Sequence, residues 1–293
     1  MACLCPLDGC RAREVSASGR RRIVFNVRDG LIDLPVTVPC GQCVGCRLER
    51  SRVWAVRAVH EASLWPENCF VTLTYDQLHV PPDGVRVRDV QLFMMRLIKA
   101  FGRAGIRRMY CGEYGERFGR PHYHLVLFNV DFPDKVFLRE NANGDRIYES
   151  AMLKKLWPFG RCEVGSVSFQ SAAYTARYVM KKVTGAAAEA HYQGRSPEFF
   201  RTSRNPGLGR GWFDRFAGDA FPHDDIIMNG KSFRVPRYYE GIYELENSAA
   251  LVAIKRTRRL DAAKHSDNNA DARLLVRLEV QNARVKLLKR ELD

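Results

Sequence analysis

The chain has 293 residues, of which 46% are hydrophobic and 27% charged, a composition that excludes a disordered chain and allows a sizeable buried core. Its net charge of +14 favours a polyanionic partner, most often nucleic acid, over a soluble protein that is merely basic. No apolar run reaches the roughly 18 residues of a membrane span, and the N-terminus lacks an apolar stretch of signal-peptide length. We therefore expect no membrane partner and a reducing cytoplasm, in which the nine cysteines are free thiols or metal ligands.

The predicted elements begin with two strands, 20–27 and 31–38, on either side of the turn-forming pair Asp29-Gly30. An amphipathic helix over 47–64 and a strand over 69–76 come next. The pattern then predicts helix 88–103, strands 108–115 and 122–130, a loop over 139–145, helix 149–157, strand 162–169 and helix 170–185. Residues 186–240 have weaker periodicity and are predicted to be irregular, whereas the last fifty residues are predicted to be helical.

This order of elements predicts an α+β fold with a central antiparallel β-sheet flanked by helices. We expect three segments: a Cys-rich N-terminal segment over 1–46, a main domain over 47–240 and a helical C-terminal tail over 241–293. Apolar residues recur in the tail at coiled-coil spacing, which fits docking on its own domain and self-association equally well.

A pair of histidines stands at the start of the predicted strand 122–130. His122 and His124 are two residues apart, so their side chains share one face of the strand. The neighbouring hairpin strand offers Glu113 as a third ligand. Two imidazoles and one carboxylate leave positions open for water and a phosphate oxygen, which suits Mg²⁺ or Mn²⁺, with zinc as an alternative. The opposing interpretation is a chance His-x-His whose rings only form hydrogen bonds at a sheet edge.

Two tyrosines lie one turn apart on the predicted helix 170–185. Tyr174 and Tyr178 share a helix face, with Arg177, Lys181 and Lys182 close to them. Tyrosine, with an ordinary pKa of about 10, is a poor nucleophile until nearby cations stabilise its phenolate. Because apolar residues occupy the other side of the helix, we expect the tyrosines on an exposed, reactive face; the alternative is ordinary core packing. Attack on a cation-polarised phosphodiester would give a 5′-phosphotyrosine and a free 3′-OH.

A tight thiol cluster precedes the first predicted helix. Cys40, Cys43 and Cys46 form overlapping Cys-x-x-Cys pairs, and the upstream segment offers Cys3, Cys5 and Cys10. Four of these six thiols could make a structural zinc site that pins the N-terminal strands, and we favour Cys5 as the fourth ligand. The alternative is reduced, unliganded cysteine.

Basic side chains near these motifs are candidate phosphate contacts. The segment 201–212 combines arginine, glycine and an aromatic residue, which suits phosphate contact and base stacking on single-stranded DNA. We assign DNA contacts to Arg120, Arg177, Arg204 and Arg210. The alternative is a solvated basic face.

The order of the strand CFVTLTYD, the His-Tyr-His strand and the tyrosine helix resembles that of the HUH endonucleases, which start rolling-circle replication and transposition. One branch is resembled closely: the replication initiators of microviruses, small circular single-stranded DNA phages, of the gokushovirus type. The segments that carry this resemblance, within roughly 38–240, are VPCGQCVGCRLERSRVWAVRAVHEA, NCFVTLTYD, CGEYGERFGRPHYHLVLFN, LWPFG, SAAYTARYVMKKVTG and NPGLGRGWF.

The resemblance implies an HUH endonuclease domain over 47–240, with Mg²⁺ or Mn²⁺ held by His122, His124 and Glu113. It implies nicking of single-stranded DNA at a replication origin by Tyr178 and Tyr174, a covalent protein–DNA linkage, and later rejoining of the displaced strand. The spacing from Tyr178 to Lys181 fits the family motif and favours Tyr178 for the first cut. Implied partners are a replicative helicase and a polymerase in the cytoplasm of a bacterial host.

Two other functions stay open at this point. One is a non-catalytic nucleic-acid-binding protein that zinc stabilises through its cysteines. The other is a metal-dependent hydrolase that uses water and forms no covalent intermediate, which the paired tyrosines disfavour.

Overall fold

A computed structural model describes residues 3–17, 19–102, 105–115, 119–141, 143–177, 183 and 187–287. They divide into two compact units: the chain up to Glu49 together with the chain from Arg259 onward, and Arg50–Arg258. The predicted α+β fold is confirmed, because the second unit contains a large antiparallel sheet with helices packed on it. None of the described helices has the length and apolar character that a membrane crossing needs.

The strands are β1 (Leu7–Val15), β2 (Arg21–Val24), β3 (Gly30–Val38), β4 (Asn68–Thr74), β5 (Arg107–Tyr114), β6 (Pro121–Phe128), β7 (Lys135–Glu140), β8 (Arg146–Ser150), β9 (Cys162–Gly165), β10 (Phe199–Thr202), β11 (Asp225–Met228) and β12 (Lys231–Arg234). The helices are α1 (Val44–Ala62), α2 (Val87–Phe101), α3 (Ala151–Leu156), α4 (Phe169–Arg177), α5 (Ala187–Tyr192), α6 (Arg210–Ala220), α7 (Arg237–Glu246), α8 (Ser248–Lys264) and α9 (Asp271–Lys286).

The large sheet has seven strands in the order β10-β5-β6-β4-β9-β8-β7, and every neighbouring pair is antiparallel. One of its faces packs against α2 and α3. Helix α2 presents an apolar stripe to this face and ends at Gly102, whose φ of 57° is a left-handed value that glycine adopts without strain. Its buried residues are Val90, Phe93, Met94 and Leu97.

The opposite face of the sheet carries the two histidines, and we call it the histidine face. Ala55 and Ala58 of α1 and Ala172 of α4 pack there against residues such as Val126 and Phe128 of β6. Small side chains on both helices let their backbones approach the sheet closely. This packing positions α4, with its tyrosine, directly over the strands that carry the candidate ligands.

The first unit contains a separate three-stranded sheet in the order β2-β1-β3. Its outer pairing begins with Leu7 directly opposite Val38. Because antiparallel partners diverge symmetrically from that pair, the residues just before β1 meet the residues just after β3. This register brings the two cysteine-containing segments of the sequence together.

The prediction of irregular structure over 186–240 is wrong. This part of the chain contributes β10 to the edge of the large sheet, and it also forms two longer helices, α6 and α7, and the hairpin β11–β12. Phe213 and Tyr239 share a buried cluster with Val56 of α1. The many glycines and prolines shorten the elements and weaken the sequence periodicity without preventing packing.

Candidate active site

The two histidines and the candidate acidic ligand are cross-strand neighbours on the large sheet. The pairing of β5 with β6 sets Glu113 directly opposite His122 and Cys111 opposite His124. On the other side of β6, Thr72 of β4 lies opposite His124. Since directly opposite residues of antiparallel strands share a face, Glu113, His122 and His124 all lie on the histidine face.

His124 is fully buried and has a hydrogen-bond partner at each ring nitrogen. Glu113 Oε1 lies 2.8 Å from Nε2, and Thr72 Oγ1 lies 3.2 Å from Nδ1. An ionised carboxylate only accepts hydrogen bonds, so Nε2 donates to Glu113, and Nδ1 of the neutral ring accepts the Thr72 hydroxyl proton. The ring also stacks on Phe70, with 5.8 Å between centroids. These contacts hold the His124 ring in one orientation.

His122 is half-buried at the start of β6, with its ring centroid 6.5 Å from that of His124. The backbone at Gly115 comes close to this ring, because a Cβ added there would lie 3.2 Å from His122 Nε2. Glycine at position 115 therefore leaves room for the imidazole.

The donor set at this site fits a divalent cation. The proton that His124 shares with Glu113 occupies a place that a cation would take, since both donors are metal ligands once that proton is replaced. Glu113, His122 and His124 do not all lie within 4.8 Å of one another, a condition that the cysteine group below meets among the described residues. The half-buried His122 is the ligand that would move to complete the set.

Tyr174 lies on the histidine face, edge-on to His124. The two ring centroids are 5.1 Å apart and the ring planes meet at 85°. The expectation of an exposed phenol is wrong for Tyr174, which is only 5% exposed and also contacts Phe70. The reason is that α4 lies against the sheet and buries the tyrosine together with its alanines. Tyr178, Lys181 and Lys182 lie outside the described residues.

Two of the predicted DNA-contacting arginines lie near these groups. The Arg177 guanidinium sits 5.8 Å from the centroid of the Tyr174 ring, at the last residue of α4. Arg120 donates hydrogen bonds to the Tyr75 carbonyl oxygen at 3.1 Å and to Gln77 Oε1 at 3.0 Å. Arg120 therefore braces the chain that follows β4.

The other two predicted arginines lie in the segment that contains β10 and α6. Arg204 is exposed, beside a pocket next to β10. Arg210 begins α6 and forms an ion pair of 2.6 Å with Asp214, four residues further on. That partner offsets part of the charge that Arg210 would offer to a phosphate.

The structure adds two residues to the site that the sequence interpretation missed, Thr72 and Glu163. Glu163 of β9 lies directly opposite Thr72, so it belongs to the same cross-strand row as His124. It forms ion pairs with Arg139, at 3.1 Å, and with Arg161. The alternation of threonines in VTLT would have indicated Thr72, whereas the position of Glu163 requires knowledge of strand order.

Four cysteines come together in the first unit. One sulfur atom from each of Cys3, Cys40, Cys43 and Cys46 lies within 4.8 Å of the other three. Cys3 Sγ is 3.7 Å from Cys40 Sγ and 3.9 Å from Cys43 Sγ. A tetrahedral site with Zn–S bonds of about 2.3 Å has sulfurs about 3.8 Å apart. This group could therefore hold a structural metal such as zinc.

The fourth thiol of this group is Cys3 and not Cys5, which the sequence interpretation had favoured. The chain bends at residues 4 and 5, which leaves the Cys5 side chain exposed beside the group. Burial alone would raise the pKa of Cys43, but the N–H groups of Leu4 and Cys46 and the neighbouring thiols donate to its sulfur and lower the pKa to about 6.

Comparisons with known proteins agree with this geometry. A family model of phage-type replication-associated proteins, the ORF2 type, matches residues 68–183, which include β4, β5, β6 and α4. The chain is 34% identical over 217 residues to replication-associated protein VP4 of Bdellovibrio phage phiMH2K, covering 70% of this chain and 67% of that protein. It is 32% identical over 225 residues to replication-associated protein ORF2 of Spiroplasma virus 4, covering 72% and 68%.

A third relative is replication-associated protein ORF4 of Chlamydia phage 1, 29% identical over 214 residues that cover 70% of this chain and 53% of that protein. No solved structure matches the chain. An antiparallel sheet that presents paired histidines and a carboxylate beneath a tyrosine helix thus occurs in a chain that shares its sequence with the replication-associated class of phage proteins. The chain belongs to the family of replication-associated proteins of the ORF2 type, which confirms the resemblance to microvirus-type replication initiators.

Proposed function

We propose that this chain is a rolling-circle replication initiator, an HUH nickase that cuts single-stranded DNA at a replication origin by tyrosine attack. The observation that carries the proposal is the position of Tyr174, whose ring lies 5.1 Å from that of His124 on the histidine face. A phosphodiester bound at this face would be within reach of both the candidate metal ligands and the tyrosine helix.

The residues that would hold the cation are His122, His124 and Glu113, and Mg²⁺ or Mn²⁺ fits their imidazole and carboxylate donors. When bound, the cation would polarise the phosphodiester and stabilise the charge that develops on its oxygens. The Thr72 hydroxyl, at 3.2 Å from Nδ1, keeps the His124 ring oriented with Nε2 toward Glu113.

The chemical step transfers a phosphoryl bond from DNA to protein. The phenolate oxygen of Tyr178 attacks phosphorus, and the bond from phosphorus to O3′ breaks, so that DNA keeps a free 3′-OH and the protein carries a 5′-phosphotyrosine. Lys181 and Lys182 would stabilise the phenolate. Tyr174 would make the second cut at the end of the round. Attack of a 3′-OH on a phosphotyrosine then restores the phosphodiester and releases the phenol.

The organisation of the chain follows from this proposal. The endonuclease function belongs to 47–240, the Cys-rich segment to 1–46 and the helical tail to 241–293. The free 3′-OH would serve a host polymerase, and a host helicase would separate the strands, in the cytoplasm of a bacterial cell. Arg120, Arg177, Arg204 and Arg210 would contact DNA phosphates.

The test is formation of a covalent adduct with DNA. Labelled single-stranded oligonucleotides that tile the genome encoding this chain are incubated with the protein and Mg²⁺ or Mn²⁺. We expect one segment to yield a labelled protein band that survives denaturation. Trypsin separates the two nucleophiles, because Tyr174 falls on the peptide 162–177 and Tyr178 on the peptide 178–181. Mass spectrometry of the nucleotide-bearing peptide therefore identifies the attacking residue.

The same assay separates the competing functions. A non-catalytic zinc-stabilised binding protein, which the four-cysteine group favours, gives salt-dependent DNA binding and no adduct with any cation. A hydrolase that uses water gives cleaved DNA with a free 5′-phosphate and no labelled protein. Either result contradicts the proposed tyrosine chemistry.

The four-cysteine group is proposed to hold one structural Zn²⁺ per chain. We expect Cys3→Ser to reduce the zinc content from about one ion per chain to near zero, because a structural site needs all four of its ligands. The matched control is Cys5→Ser, which removes an exposed thiol beside the group and should keep the zinc. Elemental analysis of the purified variants measures the metal. Loss of zinc from the Cys5 variant alone would contradict the ligand set.

A further inference from the structure

A pocket of about 310 Å³ opens next to the edge strand β10, and its lining combines aromatic and cationic side chains. Trp54 of α1 and Phe200 of β10 form its aromatic part, with ring centroids 5.2 Å apart. Arg201, Ser203 and Arg204 contribute to the lining from the opposite side. Its volume is near the lower end of the range for small-molecule sites, which suits one nucleotide rather than a run of them.

The pocket lies on the histidine face. Phe200 is directly opposite Cys111, and Cys111 is directly opposite His124, so one cross-strand row joins the pocket to the histidine. Two strand spacings, about 10 Å, separate Phe200 from His124 along this row. Trp54 and Phe200 also pack against the same buried cluster as Tyr174. A strand of DNA lying across this face would meet both sites.

The aromatic wall is held rigidly from below. The Arg57 guanidinium lies between two rings, 4.3 Å from the Trp54 centroid and 3.9 Å from that of Tyr238. Its Nε donates to the Leu208 carbonyl oxygen at 3.0 Å, and the residue is only 7% exposed. A tryptophan fixed in this way loses little conformational entropy when a ring stacks on its other side.

The opposite side is a turn that is also fixed before any ligand binds. The Arg108 N–H donates to Ser203 Oγ at 3.0 Å, and Arg107 donates to the Pro206 carbonyl oxygen at 2.7 Å. Ser203 therefore keeps a hydroxyl proton with which to address the edge of a base. The side chains of Arg201 and Arg204 are exposed, and among the described residues neither has an ion-pair partner. Both guanidiniums remain available for phosphate oxygens.

We propose that this pocket holds one unstacked base of the single-stranded DNA, stacked on Trp54, with the flanking phosphates on Arg201 and Arg204. An aromatic platform between exposed guanidiniums matches single-stranded nucleic acid, whereas the bases of a duplex are stacked inside and cannot reach it. By anchoring a nucleotide about 10 Å from His124, the pocket sets which phosphodiester lies at the cation site. This inference rests on the proposed function, since it names how the same substrate is held.

The test uses binding without cleavage, so that its outcome is separable from that of the nicking assay. A short poly(dT) strand with a single 5-iododeoxyuridine is bound to the full chain in EDTA, and its affinity is measured by fluorescence anisotropy before photocrosslinking. We expect Trp54→Leu to weaken binding roughly 5- to 100-fold, because stacking on one aromatic side chain contributes that much per base. The crosslinked wild-type peptide should contain Trp54 or Phe200.

Arg204→Gln keeps the test valid if the Trp54 variant folds poorly, because Arg204 is exposed. It should weaken binding and lower the slope of log affinity against log salt by about one contact. Arg88→Gln is the matched control: Arg88 is an exposed arginine of α2, which packs on the opposite face of the sheet. Wild-type affinity for both pocket variants, or a crosslink confined to other peptides, overturns the pocket. A crosslink at Trp54 without any adduct in Mn²⁺ supports the pocket and contradicts the nickase.

Discussion

Phenylalanine at both Tyr174 and Tyr178 is expected to slow formation of the covalent protein–DNA adduct by more than about 10³-fold. The double substitution removes two phenolic oxygens and keeps both rings. At position 174 the ring makes the packing contacts, edge-on to His124 and Phe70, so the buried cluster is preserved. The adduct is measured as labelled oligonucleotide that stays with the protein on a denaturing gel in Mn²⁺.

The matched control is Tyr148→Phe, which removes a phenol from β8, outside the tyrosine helix. This variant should form adduct at the wild-type rate and melt at the wild-type temperature. If the double variant still forms adduct at that rate, neither tyrosine is the nucleophile and the tyrosine-transfer mechanism in its present form is wrong.

The single variants distinguish the two roles. We expect Tyr178→Phe to block the first cut, because the spacing from Tyr178 to Lys181 places a cation one turn away from its phenol. Tyr174→Phe should permit the first cut and block rejoining of the displaced strand, so linear product accumulates. Nucleotide on the peptide 162–177 after a first turnover of wild-type protein would reverse this order.

The inner strands of the sheet were predictable because both of their faces are buried. β4, β5 and β6 read as short apolar runs, and their residues are almost all buried in the structure. β1 and β7 were missed because they bury little: five of the six residues of β7 are exposed. A strand without a buried face leaves no hydrophobic alternation in the sequence, so only its hydrogen-bonding partners reveal it.

The candidate site was predictable only as far as local spacing determines it. His122 and His124 follow from their separation along one strand, and Glu113 follows from the hairpin that joins β5 to β6. The burial of Tyr174 does not follow, because it depends on how closely α4 approaches the sheet. The choice of Cys3 over Cys5 depends on a bend that no periodicity signals, and the pocket at Trp54 joins segments about 150 residues apart.

Removal of the His122 imidazole is expected to reduce cation-dependent cleavage by about 10²- to 10³-fold with little change in the stability of the fold. His122 is half-buried at the start of its strand, so His122→Ala deletes a ligand without opening the core. His124→Ala should lose the same activity and also destabilise the protein by about 2–4 kcal/mol, because it creates a buried cavity and deprives Glu113 of the 2.8 Å hydrogen bond.

The pair of variants therefore separates the cation site from the fold. Titration calorimetry with Mn²⁺ measures the affinity for the cation, and thermal unfolding measures stability, with the exposed His223→Ala as the matched control. We expect His122→Ala to lose Mn²⁺ affinity at an unchanged melting temperature, and His124→Ala to lose both. Wild-type Mn²⁺ affinity and cleavage in the His122 variant would show that the half-buried imidazole is no ligand. The catalytic cation, if any, would then lie elsewhere on the chain.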